Sequence, residues 1–220
     1  LGTIMLSAGE LDAACHHFEV SRQVGEAKES ALLQALGLRH LALSLCWAEP
    51  DKALGYLEQA EPLNRDLHLP PGVGQCLTAR AVSMIGSAPV DEVIALLDEA
   101  DTVFTQTGYR DDAVLAVAAS VFAAAVTGDA PLTDARHRSL VARSEGHRVR
   151  SWLAVGDAWA SRGTTSERID RVSWPYGRDH ALDRWRAPLL ARQRPNHIPP
   201  PGMIGPSSLP FSTRMTVEMM

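Results

Sequence analysis

The feature that most constrains this chain is an internal repeat with a period of roughly 40 residues. Leu1 to Glu10 reads as an apolar helix closing on a small-residue turn, and it leads into the amphipathic segment Leu11 to Glu19. The same order recurs as His40 to Glu49 into Asp51 to Ala60, and as Arg80 to Pro89 into Asp91 to Ala100. The turn residues Gly9, Ala48, Ala88 and Gly128 follow one another at offsets of 39, 40 and 40. A two-helix unit cannot bury its apolar face alone, so repeated units must stack and share one continuous core. The period therefore decides the fold before any single helix is placed.

Within each unit the side chains keep a fixed register. A small or apolar residue of the first helix (Gly2, Leu41, Ala81) is followed twelve positions later by a compact one in the second (Ala14, Ala53, Val93). A bulky residue stands four further on (Phe18, Leu57, Leu97), and a small one three beyond that (Ser21, Ala60, Ala100). Helices packed about 8 to 10 Å apart need small side chains where they cross and a large knob beside the crossing. Spacings of four and three keep these positions on one helix face.

This register resembles the tetratricopeptide repeat, and the resemblance covers residues 1 to about 129. It implies an all-α, right-handed superhelical stack of helix-turn-helix units. The sequence departs from the family in two ways. The family unit is about 34 residues long, and the extra residues here fall after each second helix, around Val24 to Glu29, Leu67 to Gly74 and Gly108 to Asp112. The aromatic residues expected in the first helix are also missing. The longer period looks like the repeat arrays of large bacterial signalling regulators, LuxR-type and related ATP-dependent activators among them. A fourth unit, Asp111 to Gly128 followed by Leu132 to Glu145, is weaker, because Thr133, His137 and Leu140 fill its anchor positions poorly. The expected organisation is an array over 1–146, capping helices over 147–186 that carry Trp152 and Trp159, and a disordered Pro-rich tail over 187–220.

Composition agrees with helix: 45% of residues are apolar, only 5% are aromatic, and β-branched residues are sparse. The net charge of −5 conceals an asymmetry, with 18 acidic and 7 basic side chains before residue 131 and 8 and 14 after it. Lys28 and Lys52 are the only lysines among 21 basic residues, a bias that suggests GC-rich coding and a bacterial source. Cys15, Cys46 and Cys76 lack C-x-x-C spacing, so reduced thiols in a cytoplasmic protein are expected. The longest apolar run, Val114 to Val126, is shorter than the roughly 20 residues of a bilayer span and reads as a buried helix. The start at Leu1, within a helical pattern, suggests a piece of a longer protein.

The chemical motifs resolve into bland readings. Asp98-Glu99-Ala100-Asp101 spells a helicase signature without the phosphate-cradling loop that such chemistry needs, so a solvated helix face is expected. His16 and His17 are neighbours about 100° apart around a helix and do not converge on one metal. Asp111 and Asp112 suit a helix start, where carboxylates complement the exposed amides. Arg136, Arg138, Arg143, Arg148 and Arg150 could contact phosphates, although no recognition helix follows them.

The reading is a non-catalytic scaffold without cofactor or metal, whose partner is a protein or peptide segment or a neighbouring domain of the same polypeptide. It has no membrane span, and nucleic acid is not the expected ligand. Carried over from the repeat register, the partner groove is expected at Thr3, Leu38, Arg39, Ala42, Gln75, Thr78 and Val82. Alternative readings are the sensor region of a transcriptional activator, or contact with nucleic acid through the basic C-terminal part. Because proline density forbids a continuous helix there, trypsin is expected to cut first at Arg192, Arg194 or Arg214 and to spare the repeats. Early cleavage within residues 11–127 would contradict that order.

Overall fold

The computed structural model describes residues 1–3, 5, 11–46 and 49–144, and the described residues are helical apart from short loops. Seven helices follow in order: α1 (Leu11–Ala27), α2 (Ala31–Leu45), α3 (Pro50–Asp66), α4 (Pro70–Met84), α5 (Val90–Thr107), α6 (Arg110–Thr127) and α7 (Ala130–Ser144). Residues 2, 3 and 5 are also helical. The expected segments 147–186 and 187–220, with Trp152 and Trp159, lie outside the described residues, as do Gly9 and Ala48. Each helix packs on the next in sequence, and short connections make such neighbours antiparallel.

The period survives in the backbone as well as in the side chains. After α1, α3 and α5 the chain turns in the same way each time, through Glu29, His68 and Gly108, with left-handed φ of 52°, 52° and 79°. These three positions repeat the sequence spacing. At each turn the following amide reaches back five positions: Ser30 N to Gly25 O at 2.8 Å, Leu69 N to Asn64 O at 2.9 Å, and Tyr109 N to Phe104 O at 2.9 Å. These are Schellman closures, which satisfy carbonyls that a helix end would otherwise leave unpaired. The next helix starts at once, helped after α1 by Ser30, whose hydroxyl accepts from Leu33 N, and after α3 by the prolines in the first turn of α4.

These turns correct the expected placement of the extra residues. Those beyond the family's unit length do not form long loops. They lengthen the helices instead, so α2 and α4 begin nine to ten positions before the segments read from sequence. Pro62 is tolerated inside α3 because it stands on the exposed side.

In the first three units the packing register holds at every anchor but one. Gly2, Leu41 and Ala81 are buried, and so are Ala14, Ala53, Val93, Phe18, Leu57, Leu97, Ala60 and Ala100; Ser21 is half-buried. The fourth unit packs better than its sequence suggests. Of its anchors Thr133 and Leu140 are buried and His137 is half-buried, and the Thr133 hydroxyl donates to Asp129 O at 2.7 Å, so that polar anchor carries no unpaired group into the core. One continuous core runs from Leu38 to Leu140, and a small satellite of Ala14, Phe18 and Leu41 lies at the first pair.

Two glycines separate packing from propensity. Gly37 faces the α1 backbone so closely that a Cβ would lie 2.7 Å from both Phe18 O and Arg22 N, whereas a Cβ on Gly55 would meet nothing within 4 Å. Gly55→Ala should therefore stabilise by roughly 0.5 to 1 kcal/mol through helix propensity alone. Gly37→Ala should destabilise by about 1 to 3 kcal/mol, because the two helices must move apart. Urea midpoints check both signs, and a stabilising Gly37→Ala would contradict the close crossing.

Candidate partner surface

The helices form two layers. In the first-helix layer, α2 touches α4 and α4 touches α6 directly, in addition to their contacts with the intervening helices. Across the second-helix layer, long ionic side chains span from α5 to α7. Arg136 clamps Asp98, with one arm at 3.0 Å, and Arg143 holds Asp101 through Nη1 at 2.7 Å and Nη2 at 2.5 Å.

Those pairs revise the reading of Asp98 to Asp101 as a solvated face. Ala100 packs at a crossing as expected, but Asp101 is buried, and its pKa is raised because burial outweighs the neighbouring Arg143. Arg136 and Arg143 are committed to these carboxylates, which removes two of the arginines considered for phosphate contact. Arg138 is exposed, and Arg148 and Arg150 lie outside the described residues. Glu61 is gripped between Arg65 on its own helix and Arg80 on α4, each at 2.8 Å. Burial pushes its pKa up, but the two guanidinium partners prevail and hold it below the ordinary range.

The seven residues expected in the groove do not share a free surface. Leu38, Arg39, Ala42, Thr78 and Val82 are buried between helices, Gln75 is half-buried, and only Thr3 is exposed. Both α2 and α4 pack against the helices before and after them and against the next first helix, and these neighbours cover the five buried positions. The side chains that remain accessible form rows one turn nearer the helix starts. Leu32, Pro71 and Asp111 make one row, and Leu36, Gln75 and Leu115 make another, each at the spacing of the repeat. Gln75 Nε2 donates to Asp112 Oδ1 at 3.0 Å and ties α4 to α6 along this edge.

Beneath these rows sits a polar group that sequence reasoning placed only in part. Arg39 is 8% exposed, and its Nη1 donates to Asn64 Oδ1 at 2.6 Å. Asn64 is fully buried and is aimed by its own donation to Ala60 O at 2.7 Å. Gly72 makes room for the pair, since a Cβ there would collide with both Asn64 Oδ1 and Arg39 Nη1. Burial lowers the Arg39 pKa and pushes the adjacent Cys76 thiol up to about 12, which leaves that thiol without nucleophilic character near neutrality. Asn64 escaped notice because nothing local distinguishes it from a solvated helix residue, and its partner lies 25 positions away.

No family model, curated protein or solved structure matches the chain. The fold itself therefore carries the functional argument. Among the described residues, no helix is long and apolar enough to cross a membrane.

His40 completes this region. Its ring stacks on Phe18 at 4.8 Å, Nδ1 lies 2.8 Å from Leu36 O, and burial is the main cause of its lowered pKa. The folded chain thus resists protonating His40 below the ordinary 6.5, while the unfolded chain accepts the proton. Its contribution is present in full above 6.5 and is lost as pH falls from there through the folded-state value. Urea midpoints measured between about pH 7.5 and 5.5 should fall in the parent and fall less in His40→Phe, which keeps the stack without the titration. Equal slopes in the two proteins would show that His40 is not the titrating group.

Proposed function

We propose that the chain is a non-catalytic scaffold of tetratricopeptide type. It docks a protein segment, or a neighbouring domain, across the N-terminal halves of its first helices, and it serves as the repeat region of a larger bacterial signalling or transcriptional regulator in the cytoplasm. The observation that carries this reading is the periodic accessible edge, where Leu36, Gln75 and Leu115 occupy the same register in three successive units. Apolar groups at regular spacing, interrupted by one amide, suit an extended or helical segment with an apolar face and a few hydrogen bonds. Closer contact in the first-helix layer than in the second favours curvature toward that layer, as a right-handed superhelix requires. The second-helix layer is a poorer candidate for an apolar segment, because its accessible surface carries charged side chains, Glu58, Asp91, Glu92 and Glu99 among them, together with the Arg136 and Arg143 ion pairs.

The test is photo-crosslinking in the source cell with a benzophenone amino acid placed at Leu36, at Leu115 or, as a control on the second-helix layer, at Glu58. The same protein, identified by mass spectrometry, should be captured from Leu36 and Leu115 and not from Glu58. Capture from Glu58 alone would move the docking face to the opposite layer.

A further inference from the structure

We infer that Arg39 is a prebuilt receptor for a single carboxylate supplied by the docking polypeptide. The inference deepens the proposed docking reading by naming the chemistry at one point of the same layer.

Arg39 bears a buried positive charge, and none of the described carboxylates pairs with it. Its one hydrogen bond, through Nη1 to Asn64, leaves Nε buried with no partner at all. A guanidinium presents Nε–H and the adjacent Nη2–H in parallel along one edge, the fork that accepts both oxygens of a carboxylate. Asn64 occupies the other side of the guanidinium and holds it in place, so the edge left without a partner is the one suited to bidentate binding.

The surroundings are built for this guanidinium. Gly72 supplies the space, and the Asn64 carbonyl is fixed toward Nη1 by its Nδ2 donation to Ala60 O. Burying an ion without a counter-charge is costly, and an apolar residue of similar volume would serve packing better. Arg39 also lies three positions beyond Leu36, one helical turn from the accessible row, so a segment lying on that row passes beside it.

The ligand class follows from the fork. Asp112 acts on Arg39 through space and is held by Gln75 rather than by Arg39. One fork matches the two oxygens of one carboxylate. That carboxylate is either a chain terminus or an Asp or Glu side chain.

NMR of the Arg39 Nε–H in the full chain, assigned by its loss in Arg39→Lys, tests this directly. Sodium acetate should shift the resonance saturably, while acetamide and equal sodium chloride should not. Acetate should also raise the melting midpoint of the parent and leave that of Arg39→Met unchanged. Asp112→Asn should saturate at lower acetate. A short peptide with a free C-terminus, compared with an amidated peptide containing glutamate, separates the two sources, and binding of either one supports the site. A shift that is linear in acetate, is reproduced by chloride, or comes with an acetate effect on stability that persists in Arg39→Met overturns the proposal. Because the probe is a small anion, its failure is distinct from a failure of Leu36 and Leu115 to crosslink.

Discussion

The structure depends on how closely its helices can approach where they cross. Gly2 lies so near Phe18 that a Cβ would come within 2.5 Å of the ring, and Gly37 sits against the α1 backbone. Ala14, Ala53, Ala60 and Ala100 have no exposed surface. Small residues at these points let large ones beside them, Phe18, Leu57 and Leu97, fill the remaining volume in one layer after another. Removing apolar surface from water drives the stacking, but the small residues determine which stack is reached. A larger side chain at a crossing would separate a helix pair, and each pair bears on the next.

From that constraint the two layers acquire different chemistry. First helices approach closely enough to touch one another, so they are almost wholly committed to the core and offer partners only a narrow edge near their starts. Of the second helices, α5 and α7 are bridged instead by arginine and carboxylate side chains, Arg136 and Arg143 reaching back to Asp98 and Asp101. Exposed pairs of this kind add little stability, typically no more than about 1 kcal/mol each. The burial of Asp101 makes its pairing with Arg143 more consequential, since loss of the arginine would leave a desolvated carboxylate behind. Arg39 stands apart from both layers as a buried cation whose compensation is an amide rather than a charge.

The packing register was legible in the sequence because burial leaves few residue types able to fill a crossing, and the twelve, four, three spacing repeats that choice in each unit. The limits of the helices were not legible. Two of the three recurrent turns use Glu29 and His68 at left-handed positions where a glycine would have marked a helix end; only Gly108 gives that signal. The groove residues were misplaced for a related reason. The register of a shorter unit reports which positions face a neighbouring helix but not how much of α2 and α4 their neighbours cover, and Leu38, Ala42, Thr78 and Val82 are buried. The Arg39–Asn64 pair and the ion pairs of Arg136 and Arg143 join positions far apart in the chain, and no local pattern reports such partners.

The central claim, that small residues at helix crossings hold the stack in register, is tested most directly by paired substitutions at neighbouring positions of α3. Ala60 is 0% exposed at a crossing, whereas Gln59 beside it faces solvent. Denaturant unfolding should show Ala60→Trp destabilised by roughly 1 to 3 kcal/mol through overpacking, with Gln59→Trp within about 0.5 kcal/mol of the parent. An unchanged midpoint for Ala60→Trp would contradict the register on which the whole array is built.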